Sequence, residues 1–200
     1  MPAAVVHLDG RLARSARSRA AVVTAMLDLL QAGDLQPTAA RVAERAGVSL
    51  RLVFQHFEDL EALYAEVADR QAERLRPLLV AQAGTGPFAE RLQEFVTRRG
   101  HVLETIAPVR RAALLRAPFS RVLNRRLQQV RTLARRQVEA AFRPELAAHP
   151  PKARRELATA VVVASGFSTW EVLRRHHRLP LAQAQRIVAR TVRALLKEQP

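Results

Sequence analysis

The segment Leu50-Arg51-Leu52-Val53-Phe54-Gln55-His56-Phe57 carries the residue types in this chain best suited to recognition chemistry. On a helix turning about 100° per residue, with Val53 as the inward direction, Phe57 lies about 40° away and Leu50 about 60°. Arg51 and Gln55 fall near 160° on opposite sides, so both project outward. A guanidinium can donate two hydrogen bonds to guanine O6 and N7, and a carboxamide can pair both ways with adenine N6 and N7. Each such contact discriminates by about 1–3 kcal/mol. An isolated Arg/Gln pair is more simply a solvated helix face, so the elements that hold the pair decide between the readings.

Those elements are two short helices and a tight turn. In Ala43-Glu44-Arg45-Ala46-Gly47-Val48-Ser49, Ala43 allows close helix approach and Gly47 accepts a positive φ. Val48 anchors the turn and Ser49 caps the next helix. This is the pattern of a helix-turn-helix, whose second helix lies in the major groove. Periodicity predicts a preceding helix over Ser18 to Ala32, with Val22, Met26, Leu29 and Leu30 inward and Gly33 as a left-handed C-cap. Asp34 to Pro37 then reads as a loop, Thr38 as an N-cap, and Val42, Ala43 and Ala46 as the buried side of the short helix ended by Gly47. A fourth helix carries Leu60, Leu63, Tyr64, Val67 and Leu75 inward until Pro77 stops it. Five or six more follow, punctuated at Gly84-Thr85-Gly86-Pro87, Ala107-Pro108, Ala117-Pro118, Phe142-Arg143-Pro144, His149-Pro150-Pro151 and Leu179-Pro180. The expected fold class is all-α, with no internal repeat.

Composition narrows the alternatives. The 200 residues include no cysteine and seven glycines, which excludes disulfide scaffolds, thiolate metal sites and cysteine nucleophiles and leaves little room for phosphate-cradling loops. The longest uncharged apolar stretch, Leu157 to Trp170, is 14 residues, short of the roughly 20 a membrane span needs. Met1 to Gly10 does not read as a secretory signal, so no membrane association and a cytoplasmic location are expected. No His-Glu-x-x-His, phosphate loop, Glu-x-x-His pair or Gly-x-Ser-x-Gly elbow is present, which argues against an enzyme; no cofactor is expected. No metal is expected either, because the adjacent His176 and His177 point about 100° apart, and His101 stands alone. The net charge is +15, yet residues 1–76 hold ten Arg and ten acidic residues, and the whole excess lies in residues 77–200. Of 33 basic residues 31 are Arg, a bias that GC-rich coding produces without selection for binding. The doublets Arg125-Arg126 and Arg135-Arg136 read as solvated helix faces.

Val42-Ala-Glu-Arg-Ala-Gly-Val-Ser49 followed by Val53-Phe-Gln-His-Phe57 resembles the DNA-binding domain of TetR-family transcriptional regulators. The likeness spans about Arg17 to Leu63, with Val22-Val23, Leu30, Gly33, Thr38, Glu61 and Leu63 at family-like spacing. It implies a helix-turn-helix DNA-binding domain at residues 1–58 and a larger helical effector-binding and dimerisation domain at 59–200. It further implies a homodimer on a palindromic operator of double-stranded DNA, a repressor released by a small-molecule effector. Carried over by position, Thr38, Ser49 and His56 contact phosphates, while Leu50, Arg51 and Phe54 face or border the major groove. This chain departs from the family at Leu52, Phe54 and Leu60, where Thr, Tyr and Lys are common. Three phosphate-binding groups are thereby replaced by apolar ones. Affinity is then expected to lean on Arg11, Arg14, Arg17 and Arg19 before and within the first helix, and on Arg41 and Arg45.

Two stripes suit pairing of chains: Leu157, Val161, Ala164, Ser165, Phe167 and Leu173 on a helix over Lys152 to His177, and Ala184, Ile187, Val188, Thr191 and Leu195 on one over Leu181 to Glu198. Two such hairpins would form a four-helix interface, although the same stripes also suit the monomer's core. A ligand pocket is expected among Phe95, Arg99, Phe119 and Trp170, with Phe88, Phe142, Arg98, Glu104, Arg110 and Arg111 nearby, and the positive charge of this region favours an anionic effector. The alternative function is a basic helical protein binding nucleic acid or membrane surfaces without sequence preference.

Overall fold

The computed structural model describes residues 3–79 and 85–197, and among these every regular element is helical. Met1, Gly84 and Glu198, used above for the amino end, one break and the last helix, lie outside the described residues. The order is α1 (Ala3–Gln31), α2 (Ala39–Ala46), α3 (Leu50–His56), α4 (Leu60–Leu79), α5 (Phe88–Arg116), a 3₁₀ turn (Ala117–Phe119) and α6 (Arg121–Ala141). Then come α7 (Arg143–Ala147), α8 (Pro151–Ala164), α9 (Phe167–Glu171) running into a π-helical turn (Val172–His176), and α10 (Leu181–Lys197). The chain is all-α, as expected.

By packing, Met1–Glu73 with Pro108–Arg125 form one compact unit and Arg74–Ala107 with Arg126–Pro200 another. These are units of packing, whereas the split at residues 58 and 59 expected from the sequence is one of role. In the first unit Val22, Met26, Leu30, Val42, Val53 and Leu63 are fully buried. Each such burial is worth about 1.5–3 kcal/mol, which is what makes helices as short as α2 and α3 stable, since alone they would be marginal. Val109 and Ala112 of α5 and Leu123 of α6 close this core, a contribution that the sequence reading assigned to the second domain.

Three helices run further than expected. α1 begins at Ala3 instead of Ser18; residues 3–17 lack a continuous apolar stripe but are rich in Ala, Leu and Arg, good helix formers. α4 passes Pro77 and α5 passes Pro108. Proline's φ suits a helix and only one backbone hydrogen bond is lost, here at the exposed Pro77 within the last turn of α4. In contrast, the helix expected over Lys152 to His177 is broken. α8 stops at Ala164, Ser165 Oγ donates back to the Val161 carbonyl at 2.7 Å, and Thr169 Oγ1 donates to the Val163 carbonyl at 2.7 Å. Gly166, with φ −84° and ψ 171°, then starts α9. A Cβ there would lie 2.8 Å from the Val162 carbonyl oxygen.

The second unit packs Leu92, Val96, Leu103, Val138, Phe142, Trp170 and Val188 together. Phe88 and Phe95 approach the buried Phe142 with ring centroids 6.2 and 5.0 Å away. Buried Arg91 ties α5 to α6 and α7 by donating to the Ala141 carbonyl and pairing with Glu145. Arg174 forks onto Glu104 at 2.7 and 3.1 Å and also donates to the Leu179 carbonyl. The bond to Glu104 raises the guanidinium pKa further above its ordinary value. Gly100 sits where a Cβ would lie 2.8 Å from the Trp170 ring and 3.0 Å from Gln185 Nε2.

Gly100→Ala therefore overpacks this contact and is expected to lower stability by about 1–3 kcal/mol, read by chemical denaturation. The emission of Trp170, the only tryptophan, shifts with it. Tyr64, the only tyrosine, is buried and donates its hydroxyl to the Leu35 carbonyl at 3.2 Å. Burial raises its pKa above the ordinary 10.0, and the guanidinium of Arg116 beside it only partly opposes this. Its stabilising contribution is fully present below pH 10 and is lost as pH rises through the higher folded-state value, because the unfolded chain gives up that proton first. Denaturation between pH 8 and 11 should show this loss in the parent chain and a smaller one in Tyr64→Phe.

Candidate nucleic-acid interface

The direction of α3 is set by two side-chain caps and a left-handed glycine between them. Thr38, extended at φ −79° and ψ 157°, starts α2 by accepting the Arg41 N–H on Oγ1 at 3.3 Å. α2 ends at Gly47, φ 67°, whose N–H donates to the Glu44 carbonyl at 3.1 Å while the Val48 N–H donates to that of Ala43 at 3.0 Å. These are the paired bonds of a left-handed helix end. A Cβ on Gly47 would meet nothing within 4 Å, so the positive φ alone favours glycine. Ser49 then caps α3, its Oγ accepting the Leu52 N–H at 3.2 Å. Two helices are thus joined with only three residues between them.

Val53 and Phe57 face the core. Leu50, Arg51, Phe54 and Gln55 are all exposed, Leu50 by 44% and Phe54 by 51%. Their spacing puts all four on one face of α3. Leu50 stands further out than its angle from Val53 suggested, because it opens the first turn of the helix. Half of a phenylalanine left in water beside an arginine is the composition of a contact surface more than of a solvated face.

The residues expected around this face divide into two groups. Thr38 and Ser49 use an oxygen lone pair for capping and retain a hydroxyl proton to donate. Arg41 pairs with Asp34 at 2.8 Å and Arg45 with Asp28 at 3.4 Å; both arginines are largely exposed, so these pairs are weak. Arg17 is exposed on α1. Arg19 and His56, both half-buried, are engaged by groups of their own unit. Arg19 donates to the His56 carbonyl at 2.6 Å and to Glu66 at 3.0 Å, with its guanidinium carbon 4.3 Å from the Phe57 ring centroid. His56 Nε2 lies 2.7 Å from Ser18 Oγ. A helix C-terminus leaves carbonyls without internal donors and carries negative partial charge. Arg19 answers both at the end of α3. Sequence spacing gave no sign of Ser18 or Glu66 in this brace, since they are 38 and 47 residues from their contacts.

Of the expected pocket residues, Phe95, Arg99 and Trp170 lie in the second unit, with the Arg99 guanidinium carbon 5.9 Å from the Phe95 ring centroid. Phe95 packs edge-on to Phe142, Arg99 donates to the Ser165 carbonyl at 3.1 Å and to Gln137 at 2.8 Å, and Trp170 Nε1 donates to Glu104 at 2.7 Å. All three serve packing in the second unit. Phe119 belongs to the first unit and is 93% exposed, a surface residue instead of a pocket wall. Among the described residues no group of three His, Asp or Glu could hold a metal ion, and no helix is long and apolar enough to cross a membrane.

No protein-family profile matches the sequence, and no curated protein matches it. Among solved structures, the chain is similar to a protein from Mesorhizobium loti provisionally assigned to the TetR family of transcriptional regulators. The TM-score is 0.64 at 17% identity, over 92% of this chain and 96% of that one. At that identity the likeness establishes a common fold.

The brace at the end of α3 has a measurable consequence. Arg19→Ala is expected to lower thermal stability by about 1 kcal/mol without any nucleic acid present, whereas Arg17→Ala leaves the melting temperature unchanged. Equal melting temperatures for the two variants would deny Arg19 this role.

Proposed function

We propose that this protein is a sequence-specific DNA-binding transcriptional regulator, a repressor that leaves a palindromic operator when a small-molecule effector binds. One observation carries the reading: Leu50, Arg51, Phe54 and Gln55 share an exposed face on a short helix whose direction is fixed by two caps and a left-handed glycine. Arg51 and Gln55 read purine edges, while Leu50 or Phe54 meets a thymine methyl. Arg17, Thr38, Arg41, Arg45 and Ser49 take phosphates, the weak carboxylate pairs of Arg41 and Arg45 exchanging for phosphate oxygens. Arg19 and His56 position α3. The roles divide as DNA binding in residues 1–58 and effector binding with dimerisation in 59–200. The fold shared with the Mesorhizobium loti protein, itself assigned as a regulator, supports this reading, to which a cytoplasmic, non-enzymatic role belongs.

A palindrome requires two copies whose recognition helices lie about 34–36 Å apart, one turn of duplex. The outer faces of α8 and α10 suit that pairing. Ala184, Val188, Val192 and Leu196 are used by the core, whereas Thr159, Ala160, Val163, Ala164 and Leu195 line a shallow groove with Val163 64% exposed. A second copy would cover it through a two-fold contact.

The second reading, a basic protein without sequence preference, is favoured by the net charge of +15. Selection of bound duplexes from a random pool separates the two. The proposed function expects a recovered palindrome on which Arg51→Ala loses about 1–3 kcal/mol while random duplex is unaffected. An unenriched pool, or equal losses on both duplexes, would leave only the non-specific reading.

A further inference from the structure

The second unit contains a half-open cleft of about 360 Å³ lined by Arg135, Arg136, Arg143, Arg154 and Arg155, with Glu139 as the only acidic lining residue. Two of these arginines are fixed by protein groups. Arg135 pairs with Glu139 at 2.9 Å and donates to Thr159 at 3.2 Å. Arg154 donates to the carbonyls of Leu146, Ala147 and His149 at 3.1, 3.4 and 3.1 Å. Glu145, two residues from Arg143, is already taken by the buried Arg91. Among the described residues, no hydrogen bond or ion pair engages the guanidinium of Arg136, Arg143 or Arg155, although the Arg155 main-chain carbonyl accepts from Thr159.

The cleft therefore has a surplus of positive charge that the protein does not neutralise. Ala140, Leu146 and Ala147 form apolar wall between the guanidiniums, and a low-dielectric concavity lined by one sign of charge focuses the field on its mouth. Guanidinium forks match phosphate and carboxylate oxygens in pairs. A monocarboxylate supplies one charge, whereas a phosphate group supplies about 1.5 to 2 in a similar volume. Small-ligand sites start at roughly 300 Å³, so the volume fits a compact ligand.

We propose that this cleft binds a phosphorylated small molecule of the diphosphate class, its phosphates held by Arg136, Arg143 and Arg155 and its uncharged remainder against Ala140 and Leu146. This names the effector class of the regulator described above and rests on that reading for its effect on DNA, though binding itself is measurable without DNA.

Calorimetry on the full chain in about 0.15 M salt, where diffuse surface attraction is largely screened, tests the site with inorganic pyrophosphate and with ADP. Both are expected to bind at one site per chain, and Arg136→Ala/Arg143→Ala should weaken them by about tenfold or more. The charge-matched Arg74→Ala/Arg76→Ala, exposed on α4 and outside the cleft, should stay within about twofold of the parent. Equal weakening in both double variants, or binding no tighter than that of sulfate, overturns the site. So does an equal loss of random-duplex affinity in the cleft variant, which would make the cleft a nucleic-acid contact. Tight pyrophosphate and ADP binding that leaves operator affinity unchanged overturns the effector role alone. A chain that binds no duplex but retains both ligands overturns the regulator reading and upholds the site.

Discussion

A helix of seven residues cannot hold its own shape in water, because the cost of its first turn is not recovered over so few hydrogen bonds. The direction in which α3 presents its outer face is therefore borrowed from its surroundings. Val53 and Phe57 seat it on the core, the Gly47 turn fixes its entry, and Arg19 of α1 closes its far end onto Glu66 of α4. Loss of any one of these would blur the orientation before it unfolded the unit. A surface that distinguishes hydrogen-bonding edges needs that orientation more than it needs affinity, since a displaced donor loses its bond while a displaced charge retains most of its attraction.

How much of this was legible depended on whether the determinant was local. Gly33 and Gly47 each adopt positive φ, and Thr38 and Ser49 each cap a helix, because such choices are made within four or five residues. The outer face of α3 was legible for the same reason, being a matter of helical angle. Pro77 and Pro108 misled because proline is only a local penalty, which a long helix with sufficient packing absorbs. Ser165 and Gly166 visibly interrupt the apolar run from Leu157 to Trp170, yet the helical spacing of Leu157, Val161, Ala164 and Leu173 on either side hid the break. The roles of Arg19 and His56 could not be read at all, because their contacts lie on helices distant in sequence. The same holds for Phe119, whose aromatic character suggested a pocket and whose position in a turn leaves it in solvent.

The arginine excess divides in a similar way. Arg91, Arg154 and Arg174 donate to main-chain carbonyls at or beside helix ends, doing for this chain what asparagine, serine or bound water does elsewhere. A coding bias toward arginine thus becomes structure wherever a carbonyl lacks a donor. Net charge counted over the sequence therefore overstates what is available to a partner. The informative quantity is the number of guanidiniums that the protein itself leaves unanswered, and where they cluster.

The core beneath α3 is assembled from the beginning of the chain and from Val109, Ala112 and Leu123. During synthesis the first four helices leave the ribosome with one wall of their interior still missing. They must wait for 44 further residues, from the end of α4 at Leu79, before Leu123 arrives. Closing a loop of that length costs entropy that only the finished core repays. An amino-terminal fragment cut after α4 would retain every residue of the recognition face and still expose apolar surface where those three side chains belong. The nascent protein would then be prone to aggregate or in need of a chaperone until its middle is made.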